Sequence, residues 1–186
     1  MVQTNSTPST SIVSSPNMLR AAVGLAERGF WIAPLCWPVG GQCGCSKNHQ
    51  GHDIGKAPLT RHGIKDSSNQ VRDLFNWWKR WPLANIAIDL ERSGLLVVAP
   101  DSPEWLAECV RRGLPETPMV AQSGGGAGHY HFYYRRPPDC PIIHRINRPN
   151  EVDVQTQGYM VAPPSLHQSG RRCAWVSYAK AVGGAR

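Results

Sequence analysis

The sequence predicts an α+β domain in which a mixed sheet carries flanking helices. Three observations predict it. Short apolar runs of strand length recur along the chain, three segments carry the apolar spacing of helices, and turn residues follow the strands closely enough for hairpins. At 186 residues the chain is long enough to bury one sizeable core.

Met18 to Arg28 (MLRAAVGLAER) has helical spacing and a stop at Gly29, and Phe30 to Cys36 (FWIAPLC) reads as a strand. Residues 36–58 form a loop rich in Gly, Cys and His. Ser67 is placed to cap a helix that runs through Trp81, ahead of Pro82. NIAI and LLVV read as neighbouring strands joined by LERSG as a hairpin connection. Pro103 opens a helix to Gly113, with Ser102 or Asp101 as its cap. PMVAQ is a short strand and SGGGAG a flexible turn. HYHFYYRR then alternates so that His129, His131, Tyr133 and Arg135 share one face. EVDVQT and GYMVAPPS read as a second strand pair, and RRCAWVSY as a last strand. Residues 1–17, Ser/Thr-rich and nearly uncharged, read as a disordered tail, 18–178 as the domain, and 179–186 as a linker to a further C-terminal region.

Lys and Arg outnumber Asp and Glu by 20 to 13, a net charge of +7 that favours a polyanionic partner. No stretch reaches the ~20 apolar residues of a membrane span, and no signal-peptide pattern opens the chain. A cytoplasmic, reduced setting follows, in which six cysteines point to metal rather than to disulfides. Cys43, Cys45, His49 and His52 give C-x-C-x₃-H-x₂-H, a ligand set suited to structural zinc, with Cys36 as a replacement ligand.

Three polar residues stand where a bland core would not want them: Asp101 at a strand end, His129 after a Gly loop, and Asp153 inside EVDV. Two carboxylates converging on Mg²⁺ or Mn²⁺ would solve the burial problem. Asp101 also fits a simple helix cap, and His129 a half-exposed strand position. In QSGGGAGH, backbone N–H groups can surround a phosphate, although no Walker lysine is present and no helix follows.

In order, GKAPL (Gly55 to Leu59), WWKRWPLANIAI (Trp77 to Ile88), SGLLVVAPD (Ser93 to Asp101), SGGGAGHYHF (Ser123 to Phe132) and VDVQTQGYMVAPPSLHQSGRRCAW (Val152 to Trp175) follow one another. Together they resemble the bifunctional DNA primase–polymerase N-terminal domain of the archaeo-eukaryotic primase superfamily, as found in phage and plasmid replication proteins. The resemblance runs from Met18 to Trp175. It implies a two-lobed catalytic domain with an RRM-like sheet that joins nucleoside triphosphates on a DNA template and primer, using two divalent metals. It further implies a helicase C-terminal to the domain. The family motifs fall on Ala99-x-Asp101, on Ser123 with His129, and on Asp153. Asp101, His129 and Asp153 become the catalytic set, and Asp101 with Asp153 the Mg²⁺ or Mn²⁺ ligands. Ser123, Gly124, Gly125, Gly126, Lys56, Ser165 and His167 become nucleotide contacts, and Arg135, Arg145 and Arg148 contacts to nucleic acid.

The departure is Ala99, which stands where the family pattern has its first acid. Natural divergence with weakened catalysis, an inactivating replacement, or compensation by Asp89 or Glu104 would each account for it. The alternative function is therefore a catalytically weak or inactive member that binds nucleic acid or nucleotide in support of an attached helicase.

Overall fold

The computed structural model describes residues 17–45, 47, 49–142 and 152–183. Residues 1–16 of the expected tail lie outside that set. Helix α1 (Met18–Glu27) begins at Asn17, whose side-chain oxygen accepts a hydrogen bond from the Arg20 amide at 3.0 Å. It ends where Gly29, at φ 88°, turns the chain into strand β1 (Trp31–Leu35). Strands β2 (Pro38–Val39) and β3 (Gln42–Cys43) make a small hairpin. Helix α2 (Val71–Arg80) starts later than the sequence predicts, because Ser67 is not its cap. Buried Ser67 instead donates to Asp89, at 2.7 Å.

Strands β4 (Asn85–Asp89) and β5 (Leu95–Ala99) precede α3 (Pro103–Arg111), which Ser102 caps. Then come β6 (Val120–Gln122), β7 (Tyr130–Arg135), β8 (Asp153–Gln155), β9 (Tyr159–Ala162), β10 (Ala174–Val176) and α4 (Tyr178–Val182). In α4, Ala181 and Val182 are buried beside Leu106, Val120 and Phe132, so residues 179–182 belong to the folded unit rather than to a linker.

The class is α+β, with two main sheets. One has three strands in the order β1-β4-β9, and the other five in the order β10-β6-β7-β5-β8. Where a mixed sheet was expected, every pairing among the described residues is antiparallel. Both expected hairpins fail. β4 and β5 lie in different sheets, as do β8 and β9, so residues 90–94 and 156–158 are crossings between sheets. Local pattern could not reveal this, since all-apolar NIAI and LLVV fit any buried strand. The two crossings meet where the Leu90 amide donates to the Gly158 carbonyl at 3.0 Å.

Helices α1 and α2 pack together and on β1, closing a core that includes Leu25, Ile32, Leu74, Trp78, Ile86 and Ile88. Helices α3 and α4 cover the outer face of the five-stranded sheet over Val120 and Phe132. The remaining faces of the two sheets form the walls of a cleft of about 1290 Å³.

Candidate active site

Strand register builds the polar wall of this cleft. β5 pairs with β8 so that Asp153 stands opposite Ala99, and an isolated bridge sets Asp101 opposite His129. Side chains directly opposite one another, and those two apart on a strand, share a face. Ala99, Asp101, His129 and Asp153 accordingly line one cleft, with Ser123, Gly125, His131 and Gln155 beside them. Asp89 and Tyr159, from the other sheet, and Lys56, whose carbonyl accepts from Tyr159, line the same space, as does His167, which packs against Gly124. Continuing the β5–β7 register (Val97 opposite Tyr133, Val98 opposite Phe132) puts His131 level with Ala99. Ala99 is thus flanked by His131 on one neighbouring strand and Asp153 on the other.

His131 was not among the expected site residues, although its alternation with His129 placed it on their face. Its Nδ1 is buried without a hydrogen-bond partner. Burial, with Lys56 and His129 adding like charge, pushes the imidazole down to about 4. His167 is lowered in the same direction, first by burial and then by Lys56, Arg171 and His129. The Ser169 amide donates to His167 Nδ1 at 3.1 Å, which leaves the proton on Nε2.

The glycine loop has a different basis from the one its sequence advertises. Gly124 is buried, and a Cβ there would run into the His167 side chain and the Arg171 carbonyl. Its carbonyl accepts from Ser169 Oγ at 2.8 Å and Arg171 Nε at 2.9 Å, while the Gly125 carbonyl accepts from Arg171 at 2.9 Å. Arg171 therefore pins the loop, a role no local signal marks. Gly128, at φ 77°, passes so close to Pro103 that no side chain fits. Ser123 and Gly125 line the cleft, whereas Gly124 and Gly126 do not.

Other expected residues fall elsewhere. Ser165 is fully buried away from the cleft, and its Oγ accepts from the Ile86 amide at 2.9 Å. Arg135 is exposed at the far end of β7, opposite Leu95. Arg145 and Arg148 lie outside the described residues. Of the two acids considered as substitutes for the missing one, Asp89 lines the cleft but belongs to the other sheet. Its carboxylate accepts from Ser67 Oγ and from the Arg92 amide. Glu104 is exposed on α3 and does not line the cleft.

The second cluster is Cys36, Cys43, Cys45 and His49, whose ligand atoms all lie within 4.8 Å of one another. Cys36 takes the place expected for His52, which instead reaches the cleft. Cys36 is fully buried at the end of β1, where the Asp53 carbonyl lies 3.4 Å from its sulfur. Burial raises its thiol to about 12. Burial also opposes ionisation of Cys43, yet hydrogen bonds with Cys36, His49 and Cys45 hold that thiol down at about 6. Three thiols and one imidazole at this spacing fit tetrahedral zinc. Among the described residues, Asp101, Asp153 and His129 do not converge as tightly. Two carboxylates on one wall fit a single hard cation that keeps several waters.

Residues 22–183 match the family model described as bifunctional DNA primase/polymerase, N-terminal. The chain belongs to the bifunctional DNA primase/polymerase family. No curated protein matches it. Membership places the chain among DNA-replication domains and agrees with the α+β architecture. No helix among the described residues is long and apolar enough to cross a membrane.

Proposed function

We propose that this primase/polymerase domain transfers nucleotides from nucleoside triphosphates to a growing strand on a DNA template. The observation that supports this reading is the register that aligns Asp101, His129 and Asp153 along one wall of the cleft, which Lys56 and His167 also line. The reaction joins a 3′-hydroxyl oxygen to the α-phosphorus and releases pyrophosphate. Asp101 and Asp153 would hold a divalent cation, Mg²⁺ or Mn²⁺. When bound, such a cation supplies positive charge to the triphosphate and the attacking oxygen.

The chain's own residues do the rest. Lys56 brings charge to the phosphates, the Ser123 hydroxyl and His129 offer donors, and His167 donates through Nε2. Arg171 keeps the loop in the shape those donors need. The Cys36, Cys43, Cys45 and His49 set would hold structural zinc and fix the segment that delivers Lys56 to the cleft. In the whole protein a C-terminal helicase would open the duplex, in a phage or plasmid replication protein working in the cytoplasm. Arg135, Arg145 and Arg148 remain proposed contacts to nucleic acid.

Ala99 favours a second reading. With one acid fewer beside Asp153, the domain binds nucleotide but synthesises weakly, serving the attached helicase. Template, primer, labelled nucleotides and Mn²⁺ or Mg²⁺, with an Asp153→Ala control, separate the two. Synthesis that the control abolishes supports the polymerase. Nucleotide binding without synthesis under either metal supports the binder.

A further inference from the structure

A second groove of about 760 Å³ lies beyond the zinc cluster, and its walls carry Trp77, Trp81, Lys47, Arg61, Arg80 and Asp66. Trp77 and Trp81 lie one turn apart on α2 and its C-terminal cap, so they share a side of the helix. Both are half-buried, with one edge packed on the core. Trp78, on another face, is a core residue whose indole N–H donates to the Ala84 carbonyl. Covering the sheet thus accounts for Trp78 but leaves the other two rings partly exposed. The Arg80 guanidinium lies 4.8 Å over the Trp81 ring and covers one of its faces with positive charge.

The charges around these rings are one-sided. Among the described residues, Lys47, Arg61 and Arg80 form no salt bridge. Asp66 is the one acid in the groove, and both its oxygens are taken by His62, from the backbone amide at 2.9 Å and from Nδ1 at 3.0 Å. Unpaired cations call for a polyanion, and rigid, half-exposed indoles call for planar groups to stack on them. Duplex DNA would satisfy only the cations, since its bases are already stacked. A single strand satisfies both.

We propose that this groove binds single-stranded DNA, with bases against Trp77 and Trp81 and phosphates on Lys47, Arg61 and Arg80. It deepens the polymerase reading, on which it rests for the identity of the strand as template. Lys47 and Cys45 line this groove while His52, Asp53 and Lys56 line the cleft, so the zinc segment borders both.

The test uses fluorescently labelled dT₁₂ and an abasic strand of the same length, titrated against wild type and the exposed double variant Arg61→Glu/Arg80→Glu. Expected are at least about a ten-fold loss of dT₁₂ affinity in the variant and a shallower salt dependence, by roughly 1.4 in log–log slope for two lost phosphate contacts. Tryptophan emission of the wild type should be quenched by dT₁₂ but not by the abasic strand, and Trp81→Leu should erase the preference for dT₁₂. The quenching readout needs no substitution and stands even if Trp81→Leu unfolds. Equal dT₁₂ affinity in wild type and double variant, or equal binding of the abasic strand, overturns the proposal. So does loss of an acidic peptide's binding alone, which would make this a protein-docking face. Triphosphate binding to the cleft, measured without DNA, should be the same in both proteins. If neither binds triphosphate while the variant still loses dT₁₂, the polymerase reading fails and the groove stands.

Discussion

Asp153 stands directly opposite Ala99 in the β5–β8 pairing, where a third acid beside Asp101 and Asp153 would complete the proposed metal-binding wall. A carboxylate at 99 would lie on the same face as Asp101 and Asp153. In Ala99→Asp we expect metal-dependent primer extension to rise at least ten-fold over wild type, because a full ligand is added. Without metal, like charges across the strand pair should lower the melting temperature, and Mn²⁺ should restore it. A variant whose stability and metal affinity match wild type would place residue 99 outside the ligand wall.

His131 supplies a pH dependence. Its folded pKa, about 4, lies below the ordinary 6.5. Between those values the unfolded chain takes up a proton that the native state refuses. Stability is therefore full above pH 6.5 and drains away as pH falls toward 4. The loss from pH 7 to pH 5 is on the order of 2 kcal/mol for this residue, and His167 acts in the same sense. Denaturant titrations at both pH values should show His131→Gln losing much less than wild type. Equal losses would assign the effect to other groups.

Cys36 and His52 divide the zinc hypothesis cleanly. Elemental analysis of protein purified without added metal should give one zinc per chain in wild type and in His52→Ala, and almost none in Cys36→Ser. A strong chelator should lower the wild-type melting temperature by more than about 5 °C. Zinc lost from His52→Ala instead would restore the spacing read from the sequence.

Ser165 belongs to the framework, so Ser165→Ala should leave the Ile86 amide buried and unpaired. We expect a loss of about 1–3 kcal/mol in unfolding free energy, with nucleotide affinity unchanged. A selective loss of nucleotide affinity at wild-type stability would return Ser165 to the binding site.

Much of the cleft was legible because its residues are chemically conspicuous. Asp101, His129 and Asp153 are polar side chains at strand positions, and strand periodicity alone puts them on defined faces. Cys43, Cys45 and His49 are close in sequence, so spacing found them. What was not legible depends on contacts distant in the chain. Cys36 replaces His52 because β1 ends beside the loop, and Arg171 grips Gly124 and Gly125 across more than forty residues. The paired apolar strands NIAI and LLVV looked like a hairpin because nothing local records which sheet a buried strand joins. Ser67 fitted the rules for a helix cap, yet buried Asp89 outbids the helix for its hydroxyl.

The chain passes between the two main sheets three times, through residues 90–94, 156–158 and 163–173. Each half of the molecule is consequently assembled from pieces that the other half interrupts. Residues 95–176 hold all five strands of the larger sheet together with β9, whose partner β4 lies outside that stretch, so the smaller sheet is complete only when both stretches fold together. A cut within residues 90–94 would take β9 away from β4, and activity would return only if the two pieces were refolded together.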